Sequence, residues 1–193
     1  EKNVKICASH AGLTLGEDGA THQILEDVGM MKMLPNMTVI NPCDYNQTKA
    51  ATMAIAEHEG PVYLRFGRPK WPIFTPENQE FVIGKAWKMI EGTDVTIFAT
   101  GHLVWEAVEA EAILRAEGTE AILASVAKTG CAVSAEEHQF NGGLNDSIAQ
   151  TLIRNQPAPL EFIGVDDSFG ESGTPAELLE KYGLNAKNIV EAA

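Results

Sequence analysis

The sequence contains few cysteines, and their spacing excludes a disulfide framework or a zinc ribbon. Cys7, Cys43 and Cys131 lie far apart and form no CxxC pair. Cys7 and Cys131 lie inside apolar runs, so we predict buried free thiols. Because free thiols are typical of a reducing compartment, the sequence predicts a cytoplasmic protein.

Positive charge is also scarce. Lys and Arg number 14 against 27 Asp and Glu, which gives a formal net charge of −13. This balance argues against nonspecific binding to nucleic acid or to anionic membranes. No apolar run reaches the ~18 residues that a transmembrane helix needs, and we expect no signal peptide. We therefore predict a globular protein with neither nucleic acid nor membrane as a partner.

Several catalytic signatures are missing as well. The first strand is not followed by GxGxxG, and GxxxxGK[ST] is absent, so a nucleotide phosphate loop is not supported. A GxSxG elbow for serine hydrolysis is also absent. The spacing from His10 to His22 is not a tight ligand pattern and no cysteine joins it, so we predict no metal site.

The most informative stretch is the loop Ser9–Gln23 (SHAGLTLGEDGATHQ). It follows an apolar run at Val4–Ala8 that is typical of a strand, and it precedes a helical pattern. Strand-to-helix turns of this kind carry ligands in α/β folds, and glycines let the backbone approach a ligand closely. The alternative is a solvated, glycine-rich surface loop.

The first part of the chain alternates strands and helices at the spacing of a parallel α/β sheet. The predicted strands are 4–8, 37–40 and 61–66, and the predicted helices are 21–34 and 45–58. Asp44 is predicted to cap the second helix, with Gln47 completing a capping box. The sequence opens almost directly on a strand without Met, so we expect it to be a piece of a longer protein.

Pro69, Pro72 and Pro76 then interrupt any regular element. We predict a domain over residues 1–68, a linker over 69–80 and a second domain over 81–193.

In the second domain we predict strands at 86–90, 95–99, 131–135 and 162–165, with a turn at Gly92 between the first two. Helices are predicted at 103–116, 119–127 and 144–154, then after a capping box at Thr174 and ending at Gly183, and finally from Asn185. Two helices follow one another at Gly118, where the alternation calls for a strand. The predicted fold class is α/β with two parallel-sheet domains.

The loop offers one constellation of polar side chains: His10, Glu17, Asp18 and His22. A histidine titrates near neutral pH, and a neighbouring carboxylate fixes its tautomer or raises its pKa. Several such groups on one loop suit a polyhydroxylated substrate. Metal binding is the less favoured alternative.

Arginine follows the third predicted strand, at the same sheet edge as the loop. Arg68, between Gly67 and Pro69, is our candidate to bind a phosphate or carboxylate. Arg65 is either a second such group or a surface residue.

The remaining histidines and tryptophans receive weaker predictions. His138 precedes a helix opened by Gly142 and Gly143, which is either an anion site or a structural turn with a satisfied histidine. We expect His58 and His102 to be solvated. The tryptophans, Trp71, Trp87 and Trp105, are expected to be packing residues.

The run GEDGATHQ, with His10 six residues before its first glycine, resembles the pyrimidine-binding domain of transketolases. LPNMTVINPCD and GPVYLRFGR continue the resemblance at the family's order and spacing. GTDVTIFATGHLVWEAVEA, EEHQFNGGL and FGESGTPAELLEKYGLNA resemble the family's C-terminal domain. The resemblance covers nearly the whole chain. It is closest to the C-terminal subunit of the split type, in which transketolase is made as two polypeptides.

The resemblance implies an enzyme that uses thiamine diphosphate and Mg²⁺ or Ca²⁺ to move a two-carbon ketol unit from a ketose phosphate to an aldose phosphate. By motif match, His22 would contact the ketol hydroxyls and help proton transfer. His10 would contact the phosphate or the donor, Asp18 would read the acceptor's hydroxyl, and Arg68 would bind the sugar phosphate.

Two departures from the family pattern bear on assembly. The family's domain begins well before Val4, and that earlier part carries the glutamate that activates the aminopyrimidine. The family also has a strand and a loop between the positions of Gly118 and Thr119. We expect both segments to exist in the protein and to be missing from this sequence. The cofactor's diphosphate and metal would be held by an N-terminal partner subunit, in an α2β2 assembly.

Two other functions remain open from the sequence. A related thiamine-diphosphate enzyme, deoxyxylulose-phosphate synthase or a 2-oxoacid dehydrogenase β subunit, fits the first histidine and GEDG less well. A noncatalytic paralogue would have little reason to retain His10, Asp18, His22 and Arg68 together.

Overall fold

The computed structural model describes residues 2–91, 94–116 and 126–193, and shows two three-stranded parallel sheets. The first sheet contains β1 (Lys5–Ala8), β2 (Thr38–Ile40) and β3 (Val62–Arg65), in the order β1-β3-β2. The second contains β4 (Thr96–Ala99), β5 (Ala132–Gln139) and β6 (Leu160–Val165), in the order β4-β5-β6. The predicted α/β class with two parallel sheets is confirmed.

Seven α-helices connect and cover these strands within the described ranges. They are α1 (Asp27–Lys32), α2 (Tyr45–Glu57), α3 (Leu103–Ala116), α4 (Val126–Thr129), α5 (Leu144–Asn155), α6 (Pro175–Lys181) and α7 (Ala186–Ala192). A short 3₁₀ helix, Leu13–Leu15, lies in the long loop after β1. None of these helices is long and apolar enough to span a membrane.

The central strand of each sheet is its most buried element. All four residues of β3 are buried, whereas β1 at the edge of the first sheet exposes Ile6 and Cys7. In β5 every residue but Gln139 is buried. Continuous burial on both faces is expected for the middle strand of a parallel sheet covered by helices.

The two sheets have separate cores. The first core is built by Ile40, Ala51, Ile55, Val62 and Leu64, between α2 and the sheet. The second is larger and runs from β4, β5 and β6 to α3, α6 and α7. Leu13 and Leu25 belong to this second core, although both lie in the first part of the chain. The loop after β1 is therefore packed against the second sheet.

Local capping signals place several helices where the sequence predicts them. Asp44 accepts from the backbone N–H of Gln47 at 2.9 Å and caps α2. Thr174 and Glu177 form a reciprocal capping box with Pro175 at the first helical position. Gly183 has φ +69° just after α6, and Asn185 caps α7.

Three predicted elements have wrong boundaries or are absent. The helix predicted over 21–34 is confined to α1, because turns centred on Gly19 occupy the residues before it. Residues 86–90 form no strand, since no described strand pairs with them and a turn joins Lys85 N–H to Val82 C=O. The strand predicted at 131–135 continues to Gln139, so the acidic pair Glu136 and Glu137 lies within β5.

Some predictions fall on residues that are not described. The turn at Gly92, most of the helix over 119–127 and the missing strand at Gly118 lie outside the described residues. The predicted burial of cysteines is wrong for Cys7, which is exposed on the edge strand, and only partly right for Cys131. All three cysteines are free, and Cys43 is buried.

Asp44 also holds the irregular segment that follows β3. Its Oδ2 atom accepts from the backbone N–H groups of Phe74 and Thr75 at 2.9 and 2.7 Å, and its Oδ1 atom accepts from Thr75 Oγ1 at 2.7 Å. These hydrogen bonds lower the pKa of Asp44 against the opposing effect of burial, which is the largest single influence on it. One carboxylate thus caps α2 and fixes the path of the chain after residue 71.

Candidate functional site

The predicted site residues lie at one edge of the first sheet. β1 and β3 run parallel and pair from Lys5 with Val62 to Ala8 with Arg65, so their carboxyl ends are adjacent. His10 follows β1 by two residues and Arg68 follows β3 by three. The carboxyl edge is where ligands bind in open parallel sheets.

Buried residues hold the middle of the loop in place. Residues 11–16 are buried, including the 3₁₀ helix. Gln23, predicted as part of a helix, instead donates from Nε2 to the carbonyls of Leu13 at 3.1 Å, Gly16 at 3.3 Å and Glu171 at 2.9 Å. This single amide joins the end of the loop to its middle and to the segment before α6. The loop is therefore not a solvated surface turn.

The structure brings Arg68 together with the two acidic residues of the loop. Arg68 Nη1 donates to the Leu15 carbonyl at 2.9 Å and lies 3.3 Å from Asp18 Oδ2 and 3.9 Å from Glu17 Oε2. The three side chains are 43–64% exposed, so these ion pairs contribute little to stability. All of these contacts with described residues use Nη1, and a bidentate anion would bind through Nη2 and Nε.

The two predicted loop histidines are exposed, and the hydrogen bonds of their rings among the described residues are to neighbouring hydroxyl groups. His10 Nδ1 lies 2.9 Å from Ser9 Oγ, and His22 Nδ1 lies 2.9 Å from Thr21 Oγ1. His10 has φ +66°, which is uncommon for a residue other than glycine and turns the chain sharply after β1. Both rings are open to a ligand or to another chain.

Arg65, by contrast, is not a surface residue and is not available to a ligand. Its Nε atom donates to Asp27 Oδ2 at 2.8 Å, and both side chains are almost fully buried. Asp27 also accepts from the hydroxyl of Tyr63 at 2.7 Å, and burial followed by this hydrogen bond raises the tyrosine pKa. Arg65 Nη2 donates to the Glu137 carbonyl at 2.9 Å, so the pair joins β3 to β5.

A second buried contact connects the loop itself to β5. Glu137 Oε1 accepts from Thr14 N–H at 2.6 Å, and Oε2 lies 3.3 Å from Thr14 Oγ1. Burial raises the pKa of Glu137, opposed by Arg65 and by the Thr14 hydrogen bonds. The site has no room for a side chain at Gly12, where a Cβ would collide with the Glu137 carboxylate.

His102 completes this buried group, and its predicted solvation is wrong. Its ring stacks on Trp71 with centroids 4.2 Å apart, and Nδ1 lies 3.2 Å from Thr14 Oγ1 and 3.6 Å from Glu137 Oε2. Burial, with a smaller effect of Arg65, lowers the pKa of His102 to about 4. Because burial disfavours the charged forms of both His102 and Glu137, their contact is polar rather than an ion pair. His58 is half-buried.

The tryptophans match their predicted packing role in two of three positions. Trp71 packs on His102, and Trp105 packs at a tilt against Phe74. Trp87 is 43% exposed and makes no comparable ring contact among the described residues.

The anion site considered at the start of α5 is excluded by the protein's own carboxylates. Glu136 Oε1 accepts from Asn145 N–H at 2.8 Å, and Asp146 Oδ2 accepts from Gly142 N–H. His138 donates from Nδ1 to the Gln139 carbonyl at 2.9 Å and accepts from Gly29 N–H at 3.3 Å. It is a satisfied core histidine in a structural turn.

An open cavity of about 490 Å³ lies near Arg68 but contains none of the four predicted side chains. Its walls include Cys43, Phe66, Gly67, Trp71 and His102, and they are mainly apolar. Burial raises the pKa of the Cys43 thiol to about 12, so this cysteine is not a nucleophile at neutral pH. The polar chemistry of this edge therefore belongs to the loop and Arg68, and not to this cavity.

Sequence reasoning missed Thr14, Gln23 and Glu137. Each is a polar residue with a hydrogen-bond partner distant along the chain, which no local pattern identifies. The available signal was the pair Glu136–Glu137, two charges inside a run that is otherwise typical of a buried strand. Charged residues are rarely buried unless they are paired, so such a pair predicts internal partners.

Comparison with known proteins agrees with this architecture. The family model for the transketolase pyrimidine-binding domain matches residues 1–72, and that for the transketolase C-terminal domain matches residues 119–189. A 6-deoxy-6-sulfo-D-fructose transketolase subunit, SqwH, of Clostridium sp. (strain MSTE9) is 43% identical over 99% of the chain and 64% of its own length. An apulose-4-phosphate transketolase subunit of Phocaeicola vulgatus is 34% identical over all of the chain and 67% of its own length. The chain belongs to the transketolase family.

A solved transketolase supports the same membership. A split-gene transketolase, determined as an inactive β4 tetramer, superposes with a TM-score of 0.91 at 43% identity, covering 98% of the chain and 65% of that protein. The chain thus spans about two thirds of the length of each of these three relatives. The alignment with SqwH runs over 206 positions, more than the 193 residues of the chain, so SqwH has residues within the matched region that this sequence lacks.

Membership of the transketolase family implies dependence on thiamine diphosphate. When bound, this cofactor supplies an electron sink for carbon–carbon bond cleavage. The described residues do not fit its metal, since they contain no group of three His, Cys, Asp or Glu side chains that could hold a metal ion. Glu17 and Asp18, the exposed acids of the loop, lie against Arg68 instead.

Proposed function

We propose that this chain supplies the sugar-recognition residues of a transketolase, which moves a two-carbon ketol unit from a ketose phosphate to an aldose phosphate. The observation that carries the proposal is the position of Arg68, held by the Leu15 carbonyl beside Asp18 at the carboxyl edge of the first sheet. A phosphate can replace the exposed carboxylates on this guanidinium at little cost in stability.

The four predicted side chains take separate roles in this proposal. Arg68 binds the sugar phosphate, and Asp18 accepts a hydrogen bond from the hydroxyl beside the acceptor carbonyl. His22 contacts the ketol hydroxyls and assists proton transfer, whereas His10 contacts the donor or its phosphate. The exposure of both histidines supports these roles, since neither ring is committed to packing.

We also infer that a partner subunit holds the diphosphate and its Mg²⁺ or Ca²⁺. The absence of a metal-binding cluster from the described residues supports this division, as do two relatives that are named as transketolase subunits. The assembly we propose is α2β2, because closed two-fold symmetry is common. Its interface would bury on the order of 2,000 Å² or more, as obligate assemblies do. The free cysteines support a cytoplasmic location.

The test is reconstitution from purified proteins. The full-length protein, the diphosphate-binding partner, thiamine diphosphate and Mg²⁺ or Ca²⁺ are mixed, and transfer from a ketose phosphate to an aldose phosphate is measured. We expect activity in the mixture and none in either protein alone. Equal transfer by this protein without its partner would overturn the two-chain proposal, and no transfer by the assembled pair would overturn the activity.

The role of His22 is tested in the same assay. His22→Ala should lower kcat by roughly 100-fold, the usual effect of losing a positioned acid–base group, with little change in cofactor affinity. His58→Ala is the control, because His58 lies at the end of α2, away from the loop. Normal turnover of a folded His22→Ala variant would remove His22 from the mechanism.

A further inference from the structure

Two adjacent glutamates of β5 have different partners. Glu136 and Glu137 are 1% and 3% exposed, and they lie in the part of β5 where its pairing with β6 is irregular. Glu136 accepts from the N–H of Asn145 at the start of α5, whereas Glu137 accepts from the N–H of Thr14 in the loop. Of these two contacts, only that of Glu137 connects the second sheet to the loop Ser9–Gln23, which we call the candidate substrate loop.

The contact of Glu137 with the loop is specific in its geometry. The carboxylate receives the Thr14 amide at 2.6 Å, and a side chain at Gly12 would occupy the same space. Arg65 Nη2 donates to the Glu137 carbonyl at 2.9 Å and fixes the strand at this residue. Arg65 is itself held by Asp27, so the acceptor has little freedom to move away from the loop.

The contact also lies between the recognition groups. Thr14 is next to Leu15, whose carbonyl holds Arg68, and it is four residues from both His10 and Asp18. A displacement of Thr14 would therefore move the Leu15 carbonyl and the acidic turn after it. Small displacements of positioning groups can cost up to about 100-fold in rate.

We infer that Glu137 is a positioning residue, which fixes the substrate loop from the second sheet by accepting the Thr14 amide. The inference rests on the proposed function for its effect on catalysis, but the loop contact can be tested without any activity. It gives the second sheet a direct part in substrate recognition.

Hydrogen exchange of two amides tests this role in the full-length protein. In Glu137→Met the Thr14 amide should exchange about tenfold faster or more, while the Asn145 amide keeps its rate. Glu136→Met is the matched control, and it should reverse this pattern. Glu137→Gln retains an acceptor oxygen and should keep the Thr14 amide protected. If Glu137→Met fails to fold, Glu137→Asp replaces it, because it keeps the charge and withdraws the acceptor by one methylene.

The assembled enzyme gives the second readout. Glu137→Met should lower kcat/KM for sugar phosphates by about 10–100-fold, with Glu137→Gln within about threefold of the parent and Glu136→Met unchanged. Unchanged Thr14 exchange in Glu137→Met would overturn the positioning role, as would equal acceleration of that amide in Glu136→Met. Lack of transfer by the unmodified assembly would overturn the proposed function alone, since the exchange comparison does not depend on turnover.

Discussion

The candidate substrate loop has a buried floor and an exposed rim, and the two are fixed by different parts of the molecule. The floor, residues 11–16 with Gln23 and Leu25, packs against the second sheet and its helices. The rim, His10, Glu17, Asp18 and His22, emerges from the edge of the first sheet and is exposed. The comparison indicates that the proposed recognition groups follow the strands of one sheet, while the loop between them packs against the other.

The difference between the sheets explains this arrangement. The first core is small and lies on the α2 side of its sheet, so it leaves the loop after β1 without apolar partners of its own. The second core extends around Leu13 and Leu25. Changes in the floor should therefore alter stability and rate together, whereas changes in the rim should alter rate alone.

The largest effect should come from removing apolar volume beneath the loop. Leu13→Ala and Ile55→Ala each remove a fully buried side chain, one from each core, and each should cost about 2–5 kcal/mol of unfolding free energy. Only Leu13→Ala should also lower kcat/KM, by about tenfold or more. Urea unfolding and initial rates measure the two quantities. Equal losses of kcat/KM in both variants would contradict the proposed difference between the two cores.

The stability of the folded protein should also depend on pH through His102, which contacts Thr14 in the floor. Its pKa is about 4 in the folded protein and 6.5 as a free group, so between these values the folded state binds fewer protons than the unfolded state. The stability present above pH 6.5 is therefore lost as the pH falls toward 4, by up to ~3 kcal/mol. The raised pKa of Glu137 has the opposite effect, since its contribution to the stability of the folded state is lost as the pH rises above 4.5.

His102→Phe isolates the histidine contribution. The variant keeps an aromatic ring against Trp71 and has nothing to titrate at this position. Between pH 7 and pH 4 the measured unfolding free energy of the parent should fall by up to ~3 kcal/mol more than that of the variant. Parallel curves over this range would show that His102 does not carry the acid sensitivity.

Arg68 lies beside two residues of the rim, Glu17 and Asp18. The substitution Arg68→Ala should weaken the binding of phosphate and leave folding intact. A lost charge-assisted contact costs about 1.5–3 kcal/mol, which appears as a KM for phosphorylated sugars about 10–100-fold higher. The KM for glycolaldehyde, a short acceptor without phosphate, should change little. Stability should change by no more than ~1 kcal/mol, since the ion pairs of Arg68 are exposed. Equal effects on both kinds of acceptor would assign Arg68 to structure instead.

The smallest effect is expected for Asp18. Its side chain is about half exposed, so an unpaired carboxylate is partly compensated by water. Asp18→Ala should reduce discrimination between acceptors epimeric at the 2-hydroxyl by about 1 kcal/mol, or roughly fivefold. Asp18→Asn, which retains an oxygen acceptor, serves as the control. An unchanged epimer preference in Asp18→Ala would contradict the proposed contact.

The sequence predicts those features that depend on neighbours along the chain. The caps at Asp44, Thr174 and Asn185 each involve residues three apart, and each of these side chains accepts the expected backbone N–H. The capping box predicted at Asp44 is not completed, because Gln47 Oε1 accepts from Cys43 N–H instead. The parallel strands follow from apolar runs and their spacing. The transketolase resemblance, carried by GEDGATHQ, is confirmed by the family models and by relatives.

Features that depend on distant partners could not be predicted in this way. His102 is buried because Trp71 and Thr14 lie against it, and nothing near residue 102 indicates either partner. The helix predicted from residue 21 starts six residues late, because turns at Gly19 precede it and the Gln23 side chain binds carbonyls in the middle of the loop and before α6. The contact between Thr14 and Glu137 joins residues 123 positions apart.

The double use of Asp44 has a consequence for recombining this protein with its relatives. In a chimera joined between α2 and residue 76, Asp44, which caps α2, would come from one parent. The segment at residues 74–75, which the same carboxylate binds, would come from the other. Residue 44 and residues 74–75 would have to be inherited together, as one transferable module. Crossovers placed before β2 or after residue 80 keep that module intact.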